Sequence, residues 1–412
     1  MSKFFPIKTE TSCLAKWSYS KIVLEYGLTS SCHRVTHHRF DLKDFNFHNT
    51  PLKISQREEM LAGQWPDGNP EFNSTTCKRY CGALEATGAG SDRDFYNSIP
   101  DLYPPELDQD QTLTSVDPTI LEVYMSNTCN LSCVYCIPEL SSKIHTEMIK
   151  HGKFEKNGVV LESKHNPVDN YDQIKKGFWD WMNLNAGKLK RLHLLGGEPM
   201  YQKDFDTFFK FFDNNPCPNL ELQITTNLML NQKKFKHYID QIKQQIDDKK
   251  LKRLDVVCSI DCWGKPQEYV RSGIDLTIWE ENFKKLLNEH WIVLHTHAVV
   301  SALTIKTLPE LLEKMAEWKK IRDFDTSYEQ LFFPSYMSFE NFDGSEFKQE
   351  FDQIISIVDD KHLKAIKLIS EKSCSNKKEL LKLITYLDEM DRRRGTNWTN
   401  VFPWLERYKD VV

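Results

Sequence analysis

The sequence predicts an α/β protein whose centre is a parallel β-sheet. Between residues 119 and 345, short apolar runs alternate with longer helical stretches, which is the pattern of βαβ units. Six strands are expected, at residues 120–125, 192–195, 220–227, 254–262, 292–300 and 330–334. A cysteine-rich segment precedes this region, and stretches with helical spacing of apolar residues follow it. We therefore divide the chain into residues 1–118, 119–345 and 346–412.

The composition is that of an ordinary globular protein of 412 residues, with 27% charged and 40% hydrophobic residues. A net charge of -5 gives no global basic field that would attract nucleic acid. The N-terminus lacks the apolar core of a signal peptide, and no run of about 18 apolar residues predicts a membrane span. We expect a cytoplasmic location, where the 11 cysteines are better explained as metal ligands and buried thiols than as disulfides.

Three cysteines with the spacing C-x₃-C-x₂-C follow the first strand directly, namely Cys129, Cys133 and Cys136. A loop this short can wrap three thiolates around one iron-sulfur cluster, and it leaves the fourth iron without a protein ligand. A zinc site would require a fourth ligand, normally from a second close pair, and no such pair follows at the usual spacing. A disulfide is disfavoured because the chain shows no secretory signal.

This loop resembles the motif of the radical S-adenosylmethionine (radical SAM) superfamily, including an aromatic residue, Tyr135, just before the last cysteine. The resemblance implies an incomplete (β/α)₆ barrel and an oxygen-sensitive 4Fe-4S cluster whose open iron binds S-adenosylmethionine. It also implies that one electron from a flavodoxin- or ferredoxin-type protein cleaves S-adenosylmethionine. The products would be methionine and a 5′-deoxyadenosyl radical, and the radical would take a hydrogen atom from a substrate.

The second strand ends in Gly196, Gly197, Glu198 and Pro199. Glycines at a strand end let a ligand approach the backbone closely. These four residues resemble the GGEP motif of the superfamily, which implies that they bind the amino group of S-adenosylmethionine. At the end of the third strand, Asn227 is implied to contact the same cofactor, and a turn-forming asparagine is the alternative.

The fourth strand places Ser259 and Asp261 on one face. They resemble the S-x-D positions that many family members direct at the ribose and methionine parts of the cofactor. Arg271 suits a bidentate salt bridge to the methionine carboxylate, with a surface arginine as the alternative. Cys262 lies just past the strand, where an exposed thiol would donate a hydrogen atom to a substrate radical; a buried, inert cysteine is the alternative.

Four further cysteines precede the predicted barrel, namely Cys13, Cys32, Cys77 and Cys81. A hairpin of residues 17–19 and 22–24, with a break at Gly27, would bring the first two together. Four thiolates can hold a complete second cluster, and zinc is the alternative. The segment resembles the opening of the twitch and SPASM auxiliary-cluster modules, although those modules usually follow the barrel. The resemblance implies an auxiliary iron-sulfur cluster.

In residues 346–412, the spacing of apolar residues predicts two helices, over residues 346–371 and 378–393. A short basic patch lies at residues 392–394. Relatives with twitch or SPASM modules frequently modify peptides, so the expected substrate is a peptide or protein. A nucleoside or nucleic acid is the rival substrate, for which the basic patch is the local indication. A metal-binding interaction module without catalysis is the non-enzymatic alternative.

Overall fold

The computed structural model describes residues 9–66, 77–88, 90–104, 116–163, 167–358, 363, 366–367, 370–371 and 373–409. Within them, a nine-stranded sheet is covered by helices, which confirms the predicted α/β class. The strands are β1 Tyr19–Val23, β2 Leu28–Ser30, β3 His38–Arg39, β4 Ile120–Tyr124, β5 Ser132–Cys133, β6 Phe154–Lys156, β7 Val159–Leu161, β8 Arg191–Leu194, β9 Glu221–Thr226, β10 Arg253–Ser259, β11 Arg271–Ser272, β12 Val293–Val300 and β13 Asp325–Gln330.

The strand order of the main sheet is β13-β12-β10-β9-β8-β4-β1-β2-β3. The six strands from β4 to β13 within it are parallel to their neighbours, as the six βα repeats predict. Because the order has two ends, the sheet is open, as an incomplete barrel requires. The remaining strands form two small antiparallel pairs, β5 with β11 and β6 with β7.

Side chains alternate between the two faces of the sheet, and burial alternates with them in β8, β9 and β12. One face packs against the helices and forms the main apolar core. The strand registers place five polar side chains on the same opposite face, which we call the polar face: Glu122, His193, Thr225, His297 and Ser327.

The helices alternate with the parallel strands along the chain. They are α1 Ala15–Ser18, α2 Pro51–Leu61, α3 Ala83–Ala86, α4 Asp92–Asn97, α5 Ser142–His151, α6 Tyr171–Asn185, α7 Phe205–Asn214, α8 Gln232–Asp247, α9 Lys265–Val270, α10 Leu276–Leu287, α11 Leu308–Lys319, α12 Lys348–Ile357 and α13 Lys377–Arg394. In α7 the apolar side is almost entirely phenylalanine, and all five of its phenylalanines are buried. Each buried phenylalanine contributes roughly 1.5–3 kcal/mol to stability. This burial holds α7 against the sheet.

The N-terminal hairpin exists, but its strands lie later in the sequence than predicted. Residues 15–18 form the short helix α1, and the hairpin consists of β1 and β2, joined by a turn that ends at Gly27 with φ 61°. The apolar pattern of residues 17–24 did not distinguish a helical turn from a strand. β1 also pairs in parallel with β4, so the hairpin extends the main sheet. The division of the chain at residue 118 stays a prediction.

The predicted sixth strand is wrong in position, because β13 ends at Gln330, where the prediction began. β13 is mostly polar, and the apolar residues that follow it lie outside the strand. In the tail, α13 confirms the second predicted helix, whereas α12 covers only the first part of residues 346–371, and several later residues of that range lie outside the described part. Among the described helices, none is long and apolar enough to cross a membrane.

Candidate active site

The three-cysteine loop lies at the carboxyl end of β4 and is held by neighbouring segments. Ser132 and Cys133 form β5, which pairs with β11, and the Val134 amide donates a hydrogen bond to the Val270 carbonyl at 2.8 Å. The Val134 carbonyl accepts a hydrogen bond from Tyr386 of α13. The loop is therefore fixed between the fourth βα unit and the C-terminal helix.

The three thiols of the loop lie close to one another. The pKa of Cys129 is raised to about 12, mainly by burial and next by the charge of the neighbouring Cys133. Burial also raises the pKa of Cys136, with Cys133 and Cys129 as the next causes. The Arg271 guanidinium opposes the effect of burial on the pKa of Cys133. The three thiols are thus close enough to affect one another's charge, and the Arg271 cation favours the charged form of Cys133 and Cys136.

This donor set fits a cluster better than a single metal ion. In the described ranges, no three His, Cys, Asp or Glu side chains come close enough to bind one ion. Thiolates that ligate separate iron atoms of a cluster stand further apart than ligands that share one ion. Three neighbouring thiols that do not converge on a point are therefore suited to three irons of a 4Fe-4S cluster.

The two glycines that follow β8 are required by the space around them. Gly196 and Gly197 have φ of 82° and 59°. A Cβ on Gly196 would lie 1.9 Å from the Tyr124 ring, and one on Gly197 would lie 2.3 Å from the Thr128 carbonyl oxygen. The Gly197 amide donates to the carbonyl of Leu140 at 3.1 Å. The Gly-Gly turn thus lies directly against the residue before Cys129.

Glu198 is directed at protein groups and not at an open space. Its carboxylate accepts hydrogen bonds from the Asn227 amide at 2.7 Å, the Thr226 hydroxyl at 2.9 Å and the Met200 amide at 3.3 Å. Burial raises its pKa to about 7, although these hydrogen bonds act in the opposite direction. Pro199 is buried at the start of a short 3₁₀ turn. Glu198 therefore joins β8 to β9, and its contact with the cofactor stays a prediction.

Asn227 adopts the turn that the sequence offered as the alternative. Its Oδ1 accepts a hydrogen bond from the Met229 amide at 2.9 Å, which is an Asx turn, and its Nδ2 donates to Asn130 Oδ1 at 2.8 Å. Asn130 lies between Cys129 and Cys133, so Asn227 connects the end of β9 to the cysteine loop. Its contact with the cofactor stays a prediction.

Asp261, Arg271 and Tyr135 form one buried network. Arg271 donates to both carboxylate oxygens of Asp261, at 2.9 Å from Nε and 2.8 Å from Nη2. The Tyr135 hydroxyl donates to Asp261 Oδ2 at 2.6 Å, and the Val299 amide donates to Oδ1 at 3.1 Å. Arg271 is therefore not the surface arginine of the alternative interpretation. Because its fork is engaged by a protein carboxylate, the contact with the methionine carboxylate stays a prediction.

Cys262 is fully buried, which agrees with the alternative of a buried, inert cysteine that the sequence also offered. Its sulfur donates a hydrogen bond to Gln267 Oε1 at 3.5 Å, and burial raises its pKa far above the usual value. The loop after β10 turns inward at this point because Gln267 also accepts the amides of Asp261 and Cys262. Ser259 is buried at the end of β10, with its carbonyl bound by Trp279 at 3.2 Å. The hydrogen-donor role of Cys262 has no support in this geometry.

The four N-terminal cysteines are brought together from distant points in the sequence. They line one cavity, namely Cys13, Cys32, Cys77 and Cys81. The pKa of Cys13 is raised by burial and then by the other three thiols. β1, β2 and the helical turn that begins at Cys77 position them, and Lys16 lines the same cavity. The four thiols therefore share one cavity, and a metal cluster held by them stays a prediction.

A group of charged residues on and beside the polar face was missed by the sequence analysis. Lys21 Nζ lies 3.5 Å from Glu122 Oε1 and 4.3 Å from the centre of the Tyr124 ring. His193 Nδ1 lies 3.6 Å from Glu122 Oε2, and Tyr19 donates to the same carboxylate. Burial favours the neutral form of Glu122, but Lys21 and His193 hold its pKa below the usual range. A charged residue inside the apolar run of β4 was the available signal.

The fold and this site define an α/β protein in which a loop with three cysteines lies against the Gly-Gly turn at the end of β8. No family model matches the chain. A curated protein of Nautilia profundicola named GTP 3′,8-cyclase is 24% identical over 137 residues, which are 33% of this chain and 33% of that protein. A GTP 3′,8-cyclase of a Sulfurovum species is 26% identical over 136 residues, or 33% and 32% of the two chains.

The match thus spans about a third of the length of these curated relatives. Together with the motifs of the cysteine loop and the glycine turn, it supports the resemblance of the chain to the radical SAM superfamily. The cofactors of that superfamily are a 4Fe-4S cluster and S-adenosylmethionine.

The chain is also similar to solved structures, among them two structures of one protein. The structure described as native anSMEcpe with bound AdoMet has a TM-score of 0.37 and 15% identity, and the match covers 64% of this chain and 66% of that chain. The same protein with bound AdoMet and the Cp18Cys peptide has a TM-score of 0.34 and 13% identity, with coverage of 67% and 60%. Scores this low establish neither a shared site nor a shared substrate.

Proposed function

We propose that this protein is an enzyme that reductively cleaves S-adenosylmethionine and removes a hydrogen atom from a peptide or protein substrate. The observation that carries the proposal is the three-thiol loop, which lies against the Gly-Gly turn and after which the next cysteine in the sequence is Cys217. A 4Fe-4S cluster held by Cys129, Cys133 and Cys136 would supply, with S-adenosylmethionine, the electron transfer and the 5′-deoxyadenosyl radical.

The residues around the loop would bind S-adenosylmethionine and hold the cysteine loop in place. Gly196 and Gly197 allow the backbone to approach the amino group of the cofactor, since no side chain fits at either position. Tyr135 and Arg271 fix the loop to Asp261, and Tyr386 closes it from the side of α13. A rigid loop of this kind keeps the reacting atoms aligned.

The polar face offers a place for the substrate. It carries hydrogen-bonded pairs that can exchange partners with a ligand, such as His193 with Thr225 at 2.8 Å and His297 with Ser327 at 2.7 Å. Paired donors and acceptors match the amide groups of a peptide. The resemblance of the N-terminal segment to twitch and SPASM modules also favours a peptide or protein.

A nucleotide is the second candidate substrate, because both curated relatives are named GTP 3′,8-cyclase. The basic patch gives no added support to nucleic acid. Arg392 and Arg393 bind Glu389, and Arg394 binds Glu147 at 2.9 Å, so each positive charge has a carboxylate partner.

The activity is tested by anaerobic reconstitution with iron and sulfide, followed by dithionite and S-adenosylmethionine. The wild-type chain should release 5′-deoxyadenosine, measured by liquid chromatography with mass spectrometry. Cys133→Ala should release none. Cys217→Ala is the matched control, because Cys217 is a buried cysteine far from the loop in sequence and should leave release unchanged. A wild-type chain with a full cluster and no 5′-deoxyadenosine would overturn the proposal.

The substrate is tested in the same reaction. Candidate peptides and GTP are incubated separately in deuterated solvent, and each is examined by mass spectrometry for a change in mass. A modified peptide supports the first candidate, and a modified nucleotide supports the second. Salt-dependent binding to tRNA or DNA would instead favour a nucleic acid, because phosphate contacts impose a steep dependence on salt.

A further inference from the structure

The four-thiol cavity contains a cation as well as its cysteines. Lys16 lines the cavity beside Cys77, and its side chain is 2% exposed. Its ammonium donates to the Ser31 hydroxyl at 2.8 Å and to Gln56 Oε1 at 2.7 Å. Both acceptors are neutral, and across the described ranges Lys16 makes no ion pair with a carboxylate.

A buried ammonium requires a compensating negative charge, because its transfer from water is costly. The thiols that line the same cavity can provide it once they are ionised. Burial raises the pKa of Cys77, and the positive charge of Lys16 acts against this. An ammonium has three N–H donors, of which two are used by Ser31 and Gln56, so one is left for the sulfur.

An iron-sulfur core with four thiolates carries a net negative charge that grows by one unit on reduction. A hydrogen bond to a ligating sulfur and a nearby positive charge both stabilise the reduced form, and they are among the factors that set the potential of a cluster. Removal of such a cation would therefore change the reduction potential of the cluster without changing how much metal the site binds.

We propose that Lys16 is a positioning residue of the N-terminal site, where it donates to Cys77 and raises the reduction potential of the cluster that the four cysteines hold. This rests on the proposed second cluster but not on the identity of the substrate. It gives the N-terminal site an electron-transfer role in which Lys16 favours the uptake of an electron.

The test uses the full-length chain with Cys129, Cys133 and Cys136 changed to alanine, so that iron is retained at the N-terminal site alone. Lys16→Met removes the charge and keeps the length of the side chain. Lys53→Met is the matched control, because Lys53 is equally buried but bonds to Ser20, Thr29 and the Phe47 carbonyl and does not line the cavity. Iron and sulfide content are measured, and the midpoint potential is obtained by a redox titration followed by electron paramagnetic resonance.

Lys16→Met should bind the same amount of iron as its parent and show a more negative midpoint potential, whereas Lys53→Met should stay closer to the parent. If Lys16→Met does not fold by circular dichroism, Lys16→Gln takes its place, because it keeps a donor and lacks the charge. An unchanged potential, or an equal shift in both variants, would overturn the inference. Zinc without iron in the parent would overturn it too, while release of 5′-deoxyadenosine by the wild type would still support the proposed function.

Discussion

The hydroxyl of Tyr135 donates a hydrogen bond of 2.6 Å to Oδ2 of Asp261, a residue 126 positions away in the chain. Asp261 is fully buried, and it also accepts hydrogen bonds from Nε and Nη2 of Arg271. The contact therefore ties the cysteine loop to the end of β10 through a single carboxylate. Because that carboxylate has no access to water, its loss should affect the whole site.

Asp261→Asn should lower the free energy of unfolding by about 3–5 kcal/mol, because it leaves the Arg271 charge buried without its partner. Tyr135→Phe should cost about 2 kcal/mol, since it removes one hydrogen bond to a charged group. Both values are obtained from denaturation in urea. Asp240→Asn breaks the exposed pair with Lys236 and should change stability by less than about 1 kcal/mol. Equal small effects for all three variants would contradict the buried network.

Gly197→Ala should displace the cysteine loop, because the new Cβ would lie 2.3 Å from the Thr128 carbonyl oxygen. A positive φ adds a cost of roughly 1–2 kcal/mol for any other residue. We expect a large loss of bound iron at the loop after reconstitution, measured by iron analysis in a chain whose four N-terminal cysteines are changed to serine.

Gly187→Ala is the matched control for this change, because nothing lies within 4 Å of its added Cβ. It should bind as much iron as the parent. If Gly197→Ala also retains full iron, the close approach between the glycine turn and the loop is not needed to assemble the cluster.

The sequence was sufficient for those parts of the site that depend on local spacing. The cysteine loop, the glycine turn and five of the six strands lie where an apolar run or a short motif predicted them. β13 was misplaced because its residues from Asp325 to Gln330 are mostly polar, and its position depends on pairing with β12. Strand pairing is a long-range property that composition does not encode.

The partners of long side chains could not be predicted in the same way. The residue type of Arg271 predicts a bond to a cofactor carboxylate, whereas the fold gives it Asp261, ten residues away, which accepts hydrogen bonds from its Nε and Nη2. Lys16 was not singled out, since only the folded chain places it beside Cys77. In both cases the residue type predicts that the side chain binds a negatively charged group, but only the tertiary structure shows which group lies next to it.

Glu198 should make stability depend on pH in the neutral range. Burial raises its folded pKa to about 7, above the value near 4.5 of an exposed glutamate. Its contribution to stability is therefore fully present below about pH 4.5, and it is lost as the pH rises through 7, because the unfolded chain releases the proton more readily. The expected loss is on the order of 3 kcal/mol.

The measurement is the free energy of unfolding in urea at intervals from pH 5 to pH 8, for the wild type and for Glu198→Gln. The free energy of unfolding of the wild type should fall relative to that of the variant up to about pH 7. Above that pH the difference between the two should stay constant. Glu317→Gln, at an exposed site, should run parallel to the wild type throughout. A constant difference between wild type and Glu198→Gln would show that the buried carboxyl does not titrate in this range.

Cys262 should be dispensable for radical chemistry, because its sulfur is fully buried and bonded to Gln267. Cys262→Ala should release 5′-deoxyadenosine at the wild-type rate and lose about 1 kcal/mol of stability, as a small core truncation does. Cys258→Ala is the matched control, since Cys258 is another fully buried cysteine of the same segment. The two variants should behave alike in both measurements. If only Cys262→Ala loses solvent-derived deuterium from the product while it still cleaves S-adenosylmethionine, the buried thiol becomes accessible during turnover and acts as the hydrogen donor.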